Sequence, residues 1–158
     1  MRIAVFSDTH RNVAPMLEAV RRCRPDALVH LGDHDRDALE LERAFPELPL
    51  YSVCGNCDMS PVAPLADIAD FGGVKAFLCH GHSYQVKWGN LDRLAYAALE
   101  RGCRVAMFGH THRAMQQELG GVLLINPGSA GTGSRPTWAL VETLPNGGVA
   151  VSINEMET

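Results

Sequence analysis

Arg2-Ile3-Ala4-Val5-Phe6-Ser7-Asp8-Thr9-His10 decides the reading of this chain. An apolar run of strand character ends on a carboxylate and an imidazole. The same construction recurs four times. Ala27–Leu31 leads into Gly32-Asp33, and Leu50–Cys54 into Gly55-Asn56-Cys57-Asp58. Val74–Cys79 leads into His80-Gly81-His82, and Arg104–Phe108 into Gly109-His110-Thr111-His112. A strand fixes direction, and in α/β sheets ligands bind outside the carboxyl ends of the strands. Five ends carrying Asp, Asn and His predict one convergent polar site with the donor set of a metal centre.

Helical periodicity separates the early strands. Val13, Met16, Leu17 and Val20 follow the i, i+3, i+4, i+7 spacing, with Asn12 as N-cap and Pro15 in the first turn. A second helix is predicted over Asp35 to Phe45, stopped by Pro46, and a third over Leu91 to Arg101, capped by Asn90 and ended by Gly102. The second half is richer in strands. Asp67–Phe71 and Val74–Cys79 form a predicted hairpin around Gly72-Gly73. Ala114–Glu118, Val122–Asn126, Thr137–Glu142 and Val149–Asn154 add four strands, with glycine pairs at 120–121 and 147–148 marking turns. Early βαβ alternation followed by hairpins predicts a mixed sheet, or two sheets packed face to face and flanked by helices.

The chain has 158 residues, of which 46% are hydrophobic, so one domain spanning 1–158 is expected to bury a substantial core. The net charge of -4 gives no support for binding long nucleic acids, which needs a positive field. The one dense basic run, Arg21, Arg22 and Arg24, falls at a predicted helix end, where cations complement the dipole. No apolar run is long enough to span a bilayer, and Asp8 and His10 interrupt the first one, so a cytoplasmic location is expected. Five cysteines, mostly within strand-like runs, suit a reducing compartment. Cys54-x-x-Cys57 invites a redox or zinc reading, but no second pair and no thioredoxin-like context supports it.

Each motif alone has a plainer reading. Asp8-x-His10 could be an Asx turn, Asp33 a helix cap and Asn126-Pro127-Gly128-Ser129 an ordinary turn. Two His-x-His pairs beside glycine at strand ends are harder to explain as packing. Imidazole suits Mn, Fe, Ni or Zn, whereas a dedicated Mg²⁺ site prefers oxygen and water.

Taken in order, Asp8-x-His10, Gly32-Asp33, Gly55-Asn56-Cys57-Asp58, His80-Gly-His82 and Gly109-His110-Thr-His112 resemble the calcineurin-like metallophosphoesterases. Within them the chain looks most like the small prokaryotic phosphodiesterase branch, over residues 1 to about 142. The resemblance implies an α/β four-layer sandwich, two mixed β-sheets flanked by helices. It implies two divalent transition-metal ions, manganese foremost, with nickel, iron or zinc as substitutes. Asp8, His10 and His112 would bind one ion, Asn56, His80 and His110 the other, and Asp33 would bridge them. A hydroxide between the ions would attack phosphorus in line. The expected partner is a small phosphodiester or a nucleotide-type substrate, with no membrane, and homo-oligomers are allowed.

Two departures touch catalysis. Many relatives have His where this chain has Cys57, and a thiol with pKa near ~8.5 is a poorer acid at neutral pH. Cys57 and His82 are the candidate catalytic groups, with Asp58 and His34 as substitutes. Arg11 stands where relatives often have Gly. It is a candidate phosphate contact, though a solvent-facing Arg at a helix start is the commoner case. Specificity is expected from loops 61–64, 84–90 and 131–136. The alternative function is a non-catalytic scaffold on the same fold, as in a eukaryotic retromer subunit that resembles the family but has lost some ligands. All seven ligand positions here hold competent residues, which favours catalysis. A thiol redox protein ranks last.

Overall fold

A computed structural model describes residues 1–157. Ten strands and three α-helices follow in the order β1 (Arg2–Phe6), α1 (Val13–Cys23), β2 (Ala27–His30), α2 (Asp37–Ala44), β3 (Leu50–Ser52), β4 (Ala66–Phe71), β5 (Val74–Cys79), α3 (Asp92–Glu100), β6 (Val105–Met107), β7 (Met115–Leu119), β8 (Val122–Asn126), β9 (Thr137–Thr143) and β10 (Val149–Glu155). Two short 3₁₀ turns, His82–Tyr84 and Val86–Trp88, lie between β5 and α3.

The strands form two five-stranded sheets, ordered β10-β9-β1-β2-β3 and β4-β5-β6-β8-β7. Within the first, β1, β2 and β3 run parallel, as do β5, β6 and β8 within the second, and antiparallel strands finish the edges. Period-two alternation builds the layers. Ile3, Val5 and Val29 of one sheet meet Leu78, Met107 and Ile125 of the other in the central core. The alternate residues Ala4, Phe6 and Leu28 face Met16 and Val20 of α1 and Leu41 of α2. Phe77, Ala106 and Leu124 face Leu94 and Ala98 of α3. The result is the expected four-layer α/β sandwich.

Differences from the predicted elements have local causes. The second helix starts at Asp37, not Asp35, because the Asp35 carboxylate accepts the Val62 and Ala63 N–H groups instead of capping. Asn12 occupies the N-cap position of α1, but its side-chain amide donates to the Ala130 carbonyl (3.2 Å) and so ties the helix start to the loop after β8. Asn90 accepts from the Asp92 N–H (2.8 Å), although Leu91 holds the cap position. Arg21 and Arg22 pair with Glu18 at the exposed end of α1, so the basic run is a solvated helix terminus. None of the five cysteines is in a disulfide.

Candidate metal centre

All six parallel strands end on the same side of the sandwich, and their carboxyl-terminal loops interlock. The Asp8 N–H donates to the Gly32 carbonyl (2.9 Å), Gly109 to His80 (2.9 Å) and Ala130 to Ser7 (2.9 Å). These bonds draw together loops that lie far apart in sequence. Asp8, His10, Asp33 and His112 offer ligand atoms that all lie within 4.8 Å of one another. His80 completes the inner wall, its Nε2 3.4 Å from Asp33 Oδ1 and 3.8 Å from Asp8 Oδ1. The His110 ring stands 5.0 Å from that of His80, and His82 5.5 Å from it. Asn56 is exposed, with its amide nitrogen against Cys57 Sγ at 3.6 Å. Arg11 is also exposed, and its backbone N–H donates to Asp37.

The backbone is strained where these side chains leave it. Among the described residues nine non-glycine residues have positive φ, and five of them are Asp8, His10, Asp33, His110 and His112. Each such residue costs of order 1–3 kcal/mol and persists only when its surroundings over-determine it. Close packing also excludes Cβ atoms beside the cluster. A Cβ on Gly55 would collide with Asp33 Oδ1 and lie 2.6 Å from the Asp33 nitrogen. One on Gly109 would collide with Ser7 Oγ and lie 2.7 Å from Asp8 Oδ2.

Supporting bonds fix the orientation of each ligand. Asp8 Oδ2 accepts from Ser7 Oγ (2.6 Å) and from the His110 N–H (3.1 Å), which turns Oδ1 toward the centre. His80 Nδ1 donates to the Leu31 carbonyl (2.7 Å), so its Nε2 faces the carboxylates. His112 Nδ1 pairs with Thr132 Oγ1 (3.0 Å), leaving Nε2 3.0 Å from Asp8 Oδ1. Such partners on the far side of an imidazole are the usual companions of metal ligation.

Asp58 has a structural role that disqualifies it as an acid. Its carboxylate accepts four backbone N–H groups, from Asp33 (3.1 Å), His34 (2.7 Å), Asp35 (3.1 Å) and Gly55 (2.7 Å). Both oxygens are committed to shaping the Asp33 loop. The motif 126–129 is likewise more than a turn. Asn126 donates to the Gly109 carbonyl (2.9 Å) and to Thr111 Oγ1 (3.1 Å), and Ser129 Oγ donates to the Asp8 carbonyl (2.8 Å).

A network absent from the sequence reading lies beneath the centre. Gly32 N–H donates to His30 Nδ1 (3.3 Å), and Thr9 Oγ1 donates to Asp37 Oδ2 (2.6 Å). His30 Nε2 therefore donates to Thr9 Oγ1 (3.0 Å), and the imidazole is neutral. Burial pushes its pKa down to about 4, against the weaker pull of Asp37.

Electrostatics and donor chemistry fit a bound cation. Asp8 and Asp33 are buried carboxylates that face each other across imidazoles. Burial raises the pKa of Asp8 despite His80. At Asp33 burial acts in the same sense, but His80 and the Cys57 N–H outweigh it and hold the carboxyl well below the usual range. Burial alone would lower His80, but Asp33 and Asp8 raise it. Burial and His80 depress His110 to about 4 and lower His82. Asp8 Oδ1, His10 Nε2, His80 Nε2 and, beside them, His82 Nδ1 are buried without a hydrogen-bond partner. Orphaned buried polar atoms are rare and costly. Three that belong to one Asp/His cluster are what a divalent ion would satisfy.

The model of the calcineurin-like phosphoesterase superfamily domain matches residues 1–145. The chain belongs to that family. A probable metallophosphoesterase of Bacillus subtilis, YsnB, is 34% identical over 132 residues, 82% of this chain and 75% of the relative. Another, from Methanothermobacter thermautotrophicus, is 36% identical over 140 residues, 82% and 77% of the two chains. Among solved structures, a predicted phosphoesterase from Streptococcus pneumoniae superposes with a TM-score of 0.76 at 25% identity, covering 98% of this chain and 97% of that one. A single mutant of Vps29 from Entamoeba histolytica gives 0.77 at 24%, covering 99% and 100%. An archaeal phosphodiesterase gives 0.71 at 21%, covering 98% and 100%. As a calcineurin-like phosphoesterase, the chain carries its Asp and His cluster at the strand ends where the fold gathers its polar loops. No helix among the described residues is long and apolar enough to cross a membrane.

Proposed function

We propose that this phosphoesterase is a phosphodiesterase that works with two divalent ions, acts on small diesters and resides in the cytoplasm. The observation that carries this reading is the set of buried ligand atoms without a hydrogen-bond partner on Asp8 (Oδ1), His10 (Nε2) and His80 (Nε2). In this reading Asp8, His10 and His112 would hold one ion, Asn56, His80 and His110 would hold the second, and Asp33 would serve both. The mixed oxygen and imidazole donors suit manganese, and nickel, iron or zinc are compatible. When bound, such a pair lowers the pKa of water and neutralises charge on the phosphoryl oxygens during in-line displacement.

The remaining roles fall to this chain's own groups. The proposed phosphate contact is Arg11, which is exposed and follows His10 in sequence, and whose planar guanidinium suits a phosphate oxygen. Cys57 is the proposed proton donor to the leaving group. The residue is exposed overall, but partial desolvation of its thiol together with Asp33 raises its pKa, so it stays protonated at neutral pH and donates reluctantly. His82 is the weaker candidate, because burial and His80 keep it unprotonated. His34, whose ring packs at 5.0 Å on that of His10, is a further one.

The second reading is a metal-binding scaffold, favoured by the likeness to Vps29. A scaffold has no physical need for seven competent ligands, five of them on strained backbone. The test is hydrolysis of bis(p-nitrophenyl) phosphate by metal-stripped protein on addition of Mn²⁺, with Asp33→Ala alongside. Activity that returns with metal and is lost by at least ~10²-fold in the variant is expected. A folded, metal-loaded wild type no faster than the variant would make the scaffold the better reading.

A further inference from the structure

A groove of about 500 Å³ opens beside the candidate metal centre. Its lining includes Thr111, which stands between His110 and His112, and Phe108, which precedes Gly109. Val86 forms part of the same wall. A Cβ placed on Gly81, between His80 and His82, would lie 2.9 Å from Val86 and 3.4 Å from Phe108, so the groove wall abuts the ligand loops. Val86 and Phe108 are buried, and Leu91 and Met115 are partly buried, which gives the groove an apolar floor.

The rim has the opposite character. Lys87 and Arg113 line the groove, both are exposed, and no carboxylate lines it. Neither has an ion-pair partner among the described residues, so both charges are available to a ligand. Lys87 and Arg113 thus set two cations above an apolar floor. They give this groove, which abuts the ligand loops, a local positive charge.

We propose that this groove binds the organic arm of the substrate, and that Lys87 and Arg113 select substrates whose arm carries a second anionic group, such as a nucleoside bearing an additional phosphate. The floor takes the planar or apolar portion, and the two cations take the distal anion by charge-assisted hydrogen bonds. Lys87 and Arg113 are specificity residues and do not touch the reacting phosphorus. The proposal rests on the phosphodiesterase reading for its catalytic consequence, and on geometry and charge alone for binding.

The experiment compares two p-nitrophenyl esters of thymidine 5′-phosphate, one with a free 3′-hydroxyl and one with a 3′-phosphate. Wild type is expected to prefer the 3′-phosphorylated ester by about tenfold in kcat/KM, mostly through KM, with the preference weakening as salt rises. In Lys87→Gln/Arg113→Gln the ratio falls toward one. Calorimetry of thymidine 3′,5′-bisphosphate with Mn²⁺-loaded protein reads the groove without turnover, and about tenfold weaker binding is expected in the double variant. If wild type hydrolyses neither ester, the diesterase reading fails and the calorimetric difference alone decides the groove. Equal affinity in both proteins overturns the assignment, and so does a kinetic preference that is near one in wild type or survives in the double variant.

Discussion

The buried His30 should make stability depend on acid. In the folded protein its pKa is about 4, because burial disfavours the imidazolium. In the unfolded chain it returns to about 6.5. The folded value is depressed, so between these values the unfolded state binds more protons and stability rises with pH. The contribution is complete above about pH 6.5 and is lost as pH falls through that window. Each pKa unit between the states is worth about 1.4 kcal/mol. The loss therefore reaches about 2 kcal/mol by pH 5 and about 3 kcal/mol below pH 4. No discount for solvent screening applies, since the side chain is fully buried. The assay is urea denaturation followed by far-ultraviolet circular dichroism, in chelator, at pH 7.5, 6 and 5. Other groups titrate there too, so the comparison is with His30→Gln, which keeps one donor and one acceptor but cannot take a proton. The pH dependence of the variant should be smaller than that of wild type by about 2 kcal/mol between pH 7.5 and 5. Identical pH dependence in the two proteins would refute the reasoning.

Three further outcomes follow from the site. Asp58→Ala strips four backbone N–H groups of their acceptor, so it should cost about 3 kcal/mol or more in urea denaturation and weaken Mn²⁺ binding measured by calorimetry. Gly109→Ala drives a Cβ into Ser7 and Asp8, so Mn²⁺ uptake should fall at least ~10-fold while circular dichroism keeps the sheet signature; normal uptake would contradict the close packing. Because its thiol is held protonated, wild type should depend steeply on leaving-group pKa, and Cys57→His should flatten that dependence across graded aryl diesters. Equal slopes in the two proteins would remove Cys57 from the proton-donor role.

Much of the architecture was legible because strand periodicity is a local signal. The apolar runs at Arg2–Phe6 and Val74–Cys79 match their strands residue for residue. The glycine pairs at 72–73 and 120–121 sit at hairpin turns, with positive φ at all four. Element ends were less legible, because side chains there serve distant loops. Asp35 looks like a helix start, but it turns to the backbone of Val62 and Ala63. Asn12 looks like a cap, but it reaches across to Ala130.

The candidate ligands could be read because each sits at the end of a strand-like run. Their supports could not. His30 reads as one polar residue in an apolar strand, and its hydrogen-bonded chain to Thr9 and Asp37 spans two other segments. Asp58 looks like a reactive carboxylate until its four N–H donors are seen. Asn126 and Ser129 look like turn residues, yet they brace the Gly109 and Asp8 loops.

What the sequence by itself determined is which side chains would gather and at which ends of the strands, since direction and periodicity are written into neighbouring residues. Only the tertiary structure decided how each gathered group is used. Whether a carboxylate is free to take a cation or is consumed by backbone amides depends on segments 25 and 102 positions away. Hydrogen bonding and burial are properties of the assembled surroundings, and no single segment contains them.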